Sequence, residues 1–164
     1  MAGRITKSEE QLRPDPRFND KVLAKFINCL MWDGKKAVAQ RVMYDALDLI
    51  DQRLKKDKIE GGPENAIALF RKAIDNAKPE VEVRSKRVGG ANYQVPMQVN
   101  ARRQQSLAFR WLLQATRSES GKPMANRLAK ELFDAAKGEG KAMATREQTH
   151  RMAEANKAFA HFAW

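Results

Sequence analysis

Apolar residues recur at helical spacing through the first half of the chain. Val22, Leu23, Phe26, Ile27 and Leu30 share one face at a period near 3.6, with Asn19 or Asp20 ahead of them as a cap. Asp33-Gly34 ends that first helix. Val38, Val42, Met43, Ala46, Leu47 and Ile50 predict a second helix from near Lys35 to about Arg53. Asp45, Asp48 and Asp51 fall off this stripe and read as its solvated face. Lys55 to Glu64 is polar, contains Gly61-Gly62-Pro63, and predicts a loop. Ala66, Ile67, Phe70 and Ile74 predict a third helix over 64–76, ended by Pro79.

Between Val81 and Val99 the period drops to two. Val81, Val83 and Ser85 alternate with Glu82, Arg84 and Lys86, and Tyr93, Val95, Met97 and Val99 alternate with Gln94, Pro96 and Gln98. Gly89-Gly90 between the two runs is a hairpin signal. Pro96 has no N–H to give a ladder, so its place is on an outward edge. Such a ribbon is marginal alone and must pack on something or bind something.

Helical spacing then returns, with Leu107, Trp111, Leu112 and Ala115 on one stripe. Pro123 suits the first turn of the next helix, whose stripe is Met124, Leu128, Ala129, Leu132 and Phe133. Gly138 and Gly140 break it, and a last helix over about 142–158 includes His150 and Met152. The expected fold is mainly α. It is a single domain over 18–164, of about six helices, with one protruding β-hairpin at about 80–100 between the third and fourth. Residues 1–17 show no periodicity, carry Pro14 and Pro16, and read as a flexible tail.

Composition sharpens this picture mainly through charge. The 164 residues are 43% hydrophobic, enough for one modest core, and the net charge is +11. That balance favours polyanionic partners. The charge is also unevenly placed. Lys78 to Arg117 holds eight Lys or Arg against only Glu80 and Glu82, giving +6 on the ribbon and the helix after it. No apolar run approaches the roughly 20 residues of a membrane span, and residues 1–11 lack a hydrophobic leader segment. The lone Cys29 excludes an internal disulfide and suits the cytoplasm. Sitting among the apolar residues of the first helix, it is expected to be buried.

Arg84, Lys86 and Arg87 lie near the ribbon tip, and Arg102, Arg103, Arg110 and Arg117 follow on the next helix. Arg103 and Arg110 are two turns apart on one face. Forked guanidinium donors match phosphate oxygens. The plainer alternative is a solvated basic face. Gly34-Lys35-Lys36 opens a helix and fits either a small anion site, without the earlier glycine or the hydroxyl of a P-loop, or a plain turn with exposed lysines. Arg146, His150 and Arg151 are further phosphate-facing candidates. The two histidines are eleven residues apart, which is not a zinc spacing, so no metal or cofactor is expected.

No nucleophile elbow, metalloprotease motif or dinucleotide fingerprint is present, so no enzyme is expected. The rivals to an RNA scaffold are a DNA-binding regulator with a basic wing and an RNA-acting enzyme. Phe159, Phe162 and Trp164 suit docking on the protein's own core or stacking in an RNA or protein interface.

Three motifs in order resemble the bacterial form of the small-subunit ribosomal protein S-seven family. The first runs through Asp20, Val22, Phe26-Ile27, Gly34-Lys35-Lys36, Val42-Met43 and Ala46. The second is Arg87-Val88-Gly89-Gly90-Ala91-Asn92-Tyr93-Gln94-Val95-Pro96, and the third runs from His150 to Phe159. The likeness spans roughly Pro14 to Trp164. It implies six helices with a protruding ribbon and no enzyme. It also implies a primary binder of the 3′ major domain of small-subunit rRNA that nucleates assembly of the subunit head. Lys35, Lys36, Arg84, Arg102, Arg103, Arg110, Arg117, Arg146 and Arg151 are the rRNA candidates on this reading. Lys86, Arg87, Gly89, Gly90 and Tyr93 would face exit-site tRNA and mRNA. The implied neighbours are small-subunit proteins nine and eleven, and some family members repress their own message.

Overall fold

The computed structural model describes residues 11–56 and 63–163. Residues 1–10 of the expected tail, Gly61-Gly62 of the expected loop, and Trp164 lie outside the described residues.

The described chain forms six α-helices, one two-stranded antiparallel sheet and a closing 3-10 helix. The helices are α1 (Lys21–Leu30), α2 (Lys36–Lys56), α3 (Ala66–Ala77), α4 (Ala101–Ser118), α5 (Met124–Lys137) and α6 (Lys141–Ala155). The strands β1 (Val81–Val88) and β2 (Ala91–Gln98) lie between α3 and α4, and the 3-10 helix covers Lys157–Phe162.

Asp20 starts α1. Its Oδ1 accepts the Val22 and Leu23 amides at 2.6 and 3.1 Å, satisfying two N–H groups the helix cannot satisfy itself. Its Oδ2 takes Nε and a terminal nitrogen of Arg71 at 2.9 and 2.6 Å, tying α1 to α3. Burial alone would raise the Asp20 pKa, but the Arg71 and backbone hydrogen bonds hold it below the ordinary value. Leu23, Phe26, Ile27 and Leu30 then enter the core. Phe26 meets Phe70 and Phe109 edge-on, with centroids 5.3 and 5.2 Å apart. Helix α5 packs on α2, α3 and α4, and its Leu128 and Leu132 are fully buried.

Four expectations are corrected. Val38 is 57% exposed, and the buried stripe of α2 begins at Ala39. Val38 sits in the first turn and borders a surface groove rather than the core. Cys29 is exposed. It lies six residues after Leu23, roughly 240° round the helix from the buried face. Partial desolvation raises its thiol pKa with Lys25 opposing, so exposure does not make it a ready nucleophile. The last α-helix ends at Ala155, and a 3-10 turn follows it. Helix α2 also runs on through Lys55 and Lys56, which the sequence pattern assigns to the loop.

Near the start of the described chain, Asp15 is 3% exposed. One carboxylate oxygen accepts the Arg17 and Phe18 amides, and the other accepts the Tyr44 hydroxyl at 2.7 Å. Arg17 pairs with Asp48 on α2. Residues 15–18 are therefore fastened to α2.

The hairpin pairs Val88 with Ala91 at its tip and Val81 with Gln98 at its base. Gly89 and Gly90 both have positive φ, +57° and +90°, the conformation a two-residue type I′ turn needs and glycine adopts without strain. The ribbon packs on α6 and on the 3-10 helix. Tyr93 lies 5.2 Å from Phe159 and 5.1 Å from Phe162, centroid to centroid, and Lys86 Nζ donates to the Phe162 carbonyl at 2.8 Å. Phe159 and Phe162 thus dock on the protein's own ribbon.

Candidate nucleic-acid interface

Asn100 sets the relation between ribbon and helix. Its side chain accepts the Arg103 amide at 2.9 Å and caps α4 directly after β2. The Val99 amide, one residue earlier, donates to the Glu80 carbonyl at 3.0 Å and extends the pairing at the ribbon base. This short link opens a cleft of about 740 Å³ whose lining includes Lys25 and Asn28 of α1, Glu82 and Arg84 of β1, and Arg102 and Arg103 of α4.

Glu82 organises the cleft. It is 8% exposed, and such a carboxylate needs partners. Its Oε1 accepts Arg84 Nε at 2.7 Å, and its Oε2 accepts both Nε and a terminal nitrogen of Arg103 at 3.1 Å. The two guanidinium groups are held in place while their remaining donors stay available. Lys25 Nζ is steadied by Gln105 Oε1 at 3.4 Å. Exposed Arg102 lines both this cleft and a smaller hollow with Lys78 and Gln105. Among the described lining residues four cations stand against one carboxylate, with polar groups spaced between them.

The other candidates divide by environment. Lys35 and Lys36 are exposed at the head of α2, Arg110 is exposed on α4, and Arg87, Gly89 and Gly90 are exposed at the ribbon tip. Arg117 is exposed at the end of α4, where it donates to the Leu30 carbonyl at 3.2 Å and lies over the Trp32 ring. Arg151 is exposed and sits 3.7 Å from Glu147. Arg146 turns inward, with Nε donating to the Lys78 carbonyl at 3.0 Å. His150 Nε2 accepts the Glu80 amide at 3.2 Å, which joins α6 to the entry of the ribbon. Tyr93 and Lys86 serve the brace between ribbon and 3-10 helix.

The structure thus gathers Arg84, Arg102 and Arg103 into one cleft and places Lys35 and Arg117 together at another. Sequence reasoning missed Lys25 and Glu82 in the first and Trp32 and Arg127 in the second. Glu82 carried a usable signal, as one of two acids in a strongly basic stretch. Among the described residues no group of three or more His, Cys, Asp or Glu could hold a metal ion, and no helix is long and apolar enough to cross a membrane.

The profile of the ribosomal protein S7p/S5e family matches residues 2–157. The chain belongs to that family. Among S7p/S5e relatives, the small ribosomal subunit protein uS7 of Rhodopirellula baltica is 60% identical over 162 residues, covering 99% of each chain. The uS7 protein of Magnetococcus marinus is 52% identical over the full length of both, and that of Nautilia profundicola 54% identical over 92% of each. The S7p/S5e family is one of ribosomal proteins and not of enzymes, so the chain is an RNA-binding part of the translation machinery. The helical fold with one hairpin between α3 and α4 agrees with what the motif resemblance implied.

Proposed function

We propose that this chain is a structural protein of the small ribosomal subunit that binds the 3′ major domain of its rRNA and nucleates assembly of the subunit head. In bacteria it would work in the cytoplasm. The observation that carries this reading is the cleft between ribbon and α4, where Lys25, Arg84, Arg102 and Arg103 converge. Such cations neutralise phosphates and release counterions, so binding falls steeply with salt. The angle between ribbon and helix, set by Asn100 and Glu82, gives the positive surface a fixed shape. A folded RNA junction is recognised by shape more than by base edges. Binding one RNA fold over its alternatives shifts the population towards the assembled head.

The ribbon has a second role in this proposal. Arg87, Gly89 and Gly90 are exposed at its tip and would face exit-site tRNA and mRNA. Lys86 and Tyr93 support that tip through the 3-10 helix. Neighbouring proteins nine and eleven of the subunit are the proposed protein partners. Residues 18–164 would act as a single RNA-binding domain.

The test is binding of the full chain to a 3′ major-domain rRNA fragment across a salt series, with tRNA and duplex DNA as competitors. Tight binding that survives excess competitor, with a salt slope of several phosphates, is the expected result. Binding that tRNA and duplex DNA both remove readily would reduce the basic surface to a generic patch and sink the proposal.

A further inference from the structure

Trp32 is 70% exposed in the link between α1 and α2, and Val38 is 57% exposed nearby. Both border a groove of about 410 Å³ with Leu30, Val42 and Met124 among its apolar walls. Lys35, Arg117 and Arg127 also line it, and among the described residues no acidic one does. The groove shares no lining residue with the cleft between ribbon and α4.

Its cations are placed rather than loose. The guanidinium of Arg117 sits 4.7 Å from the Trp32 ring centroid, and the same side chain donates to the Leu30 carbonyl. Arg127 donates to the carbonyls of Thr116 and Glu119. Lys35 and Lys36 stand at the head of α2, where the Lys36 and Ala39 amides already donate to the Gly34 and Lys35 carbonyls and the positive end of the helix dipole favours an anion. A single exposed aromatic residue is ordinary. An exposed Trp and Val over an apolar groove with three cations and no acid define an occupant that is flat, apolar and anionic.

We infer that this groove takes one unpaired nucleotide of an RNA strand. The base would stack on Trp32 above the apolar walls, and its phosphate would sit between Lys35 and Arg117. A nucleotide supplies ring and anion in one unit. An aliphatic side chain of a protein partner would fill the walls and leave the cations unmatched. The inference rests on the RNA-binding reading and adds to it a base-stacking site separate from the phosphate-binding cleft.

The test compares the full chain with its Trp32→Ala and Trp32→Phe variants. The probes are a short oligoadenylate, an abasic ribose-phosphate strand of equal length, and the 3′ major-domain fragment. Trp32→Ala should weaken oligoadenylate binding by about five- to 150-fold, the range for losing one stacked base. Binding of the abasic strand should not change, and Trp32→Phe should keep most of the affinity. Trp32 is exposed, so the variants should fold, with unchanged circular dichroism. Equal loss with both strands, or no loss with either, overturns the site. So does an acidic Leu-rich peptide whose binding needs Trp32 while oligoadenylate binding does not. A chain that binds the fragment without any Trp32 dependence sinks this site alone. A chain that binds neither fragment nor oligoadenylate sinks the RNA-binding reading itself.

Discussion

Arg103 reaches back 21 residues to Glu82, placing Nε and a terminal nitrogen each 3.1 Å from the same carboxylate oxygen. This pair fastens the start of α4 to the base of β1. Arg103 is therefore a strut as well as a candidate phosphate contact, and its removal acts on both fold and binding.

Arg103 and Arg110 should then separate, although they lie two turns apart on one helix. Arg103→Ala leaves Glu82 with Arg84 alone. Because Arg103 is partly exposed, the loss should be modest, about 1 kcal/mol in urea unfolding, together with weaker RNA binding. Arg110 is exposed and makes no ion pair among the described residues, so Arg110→Ala should stay within about 0.5 kcal/mol of the parent. It should lower the salt slope of RNA binding by about one phosphate. Equal stability losses in the two variants would refute the strut.

Asp20→Ala should destabilise the protein by about 1–2 kcal/mol, because α1 loses its cap and its tie to Arg71. Asp20→Asn keeps an acceptor for the cap and should lose less. The folded pKa of Asp20 is lowered, so its stabilisation is present above the ordinary carboxylate value and lost as pH falls through the folded one. The gap between parent and Asp20→Ala should narrow in acid. Urea unfolding at neutral and strongly acid pH measures this, and a gap that does not change with pH contradicts it.

Tyr44 should ionise near 12, pushed up by burial and by its hydrogen bond to Asp15. The fold favours the neutral phenol. Its contribution is present below the ordinary value near 10 and lost as pH rises through about 12. An ultraviolet titration should show one of the two tyrosines ionising late, and Asp15→Asn should bring that transition down. An unshifted transition in the variant would mean that residues 15–18 are not fastened to α2 in solution.

Tyr93→Ala removes the ring between Phe159 and Phe162. Amides of β1 and β2 should then exchange about tenfold faster with solvent, while those of α3 and α5 keep their protection. Uniform acceleration across the chain would show that the brace supports the whole fold and not the ribbon alone.

Periodicity made most of this architecture legible. The helical stripes locate the six α-helices, and Gly89-Gly90 fixes the register from Val88–Ala91 down to Val81–Gln98. What escaped depends on distance or on phase. Val38 matches an apolar stripe, yet it faces the surface groove while Ala39 beside it begins the buried face. Cys29 has apolar neighbours in sequence, but its phase turns it outward. The 3-10 geometry after Ala155 follows from aromatic contacts with a ribbon far earlier in the chain. The basic stretch was plain in the sequence. Which of the cations hold the fold was not, because it depended on Glu82, Lys78 and Phe162, each distant in sequence from its partner.

The ribbon's brace also has a consequence in time. Lys86 is bound to a carbonyl 76 residues downstream, at Phe162. A chain emerging at about 5–20 residues per second exposes the ribbon roughly 4 to 15 seconds before its support has been made. Helices α1 to α5 can meanwhile gather around Phe26, Phe70 and Phe109. Synthesis order therefore separates the folding of the helical body from the bracing of the ribbon. On the proposed function the helical surface would meet RNA first, and the tip around Gly89-Gly90 would take its final aim only once residues 157–162 have joined it.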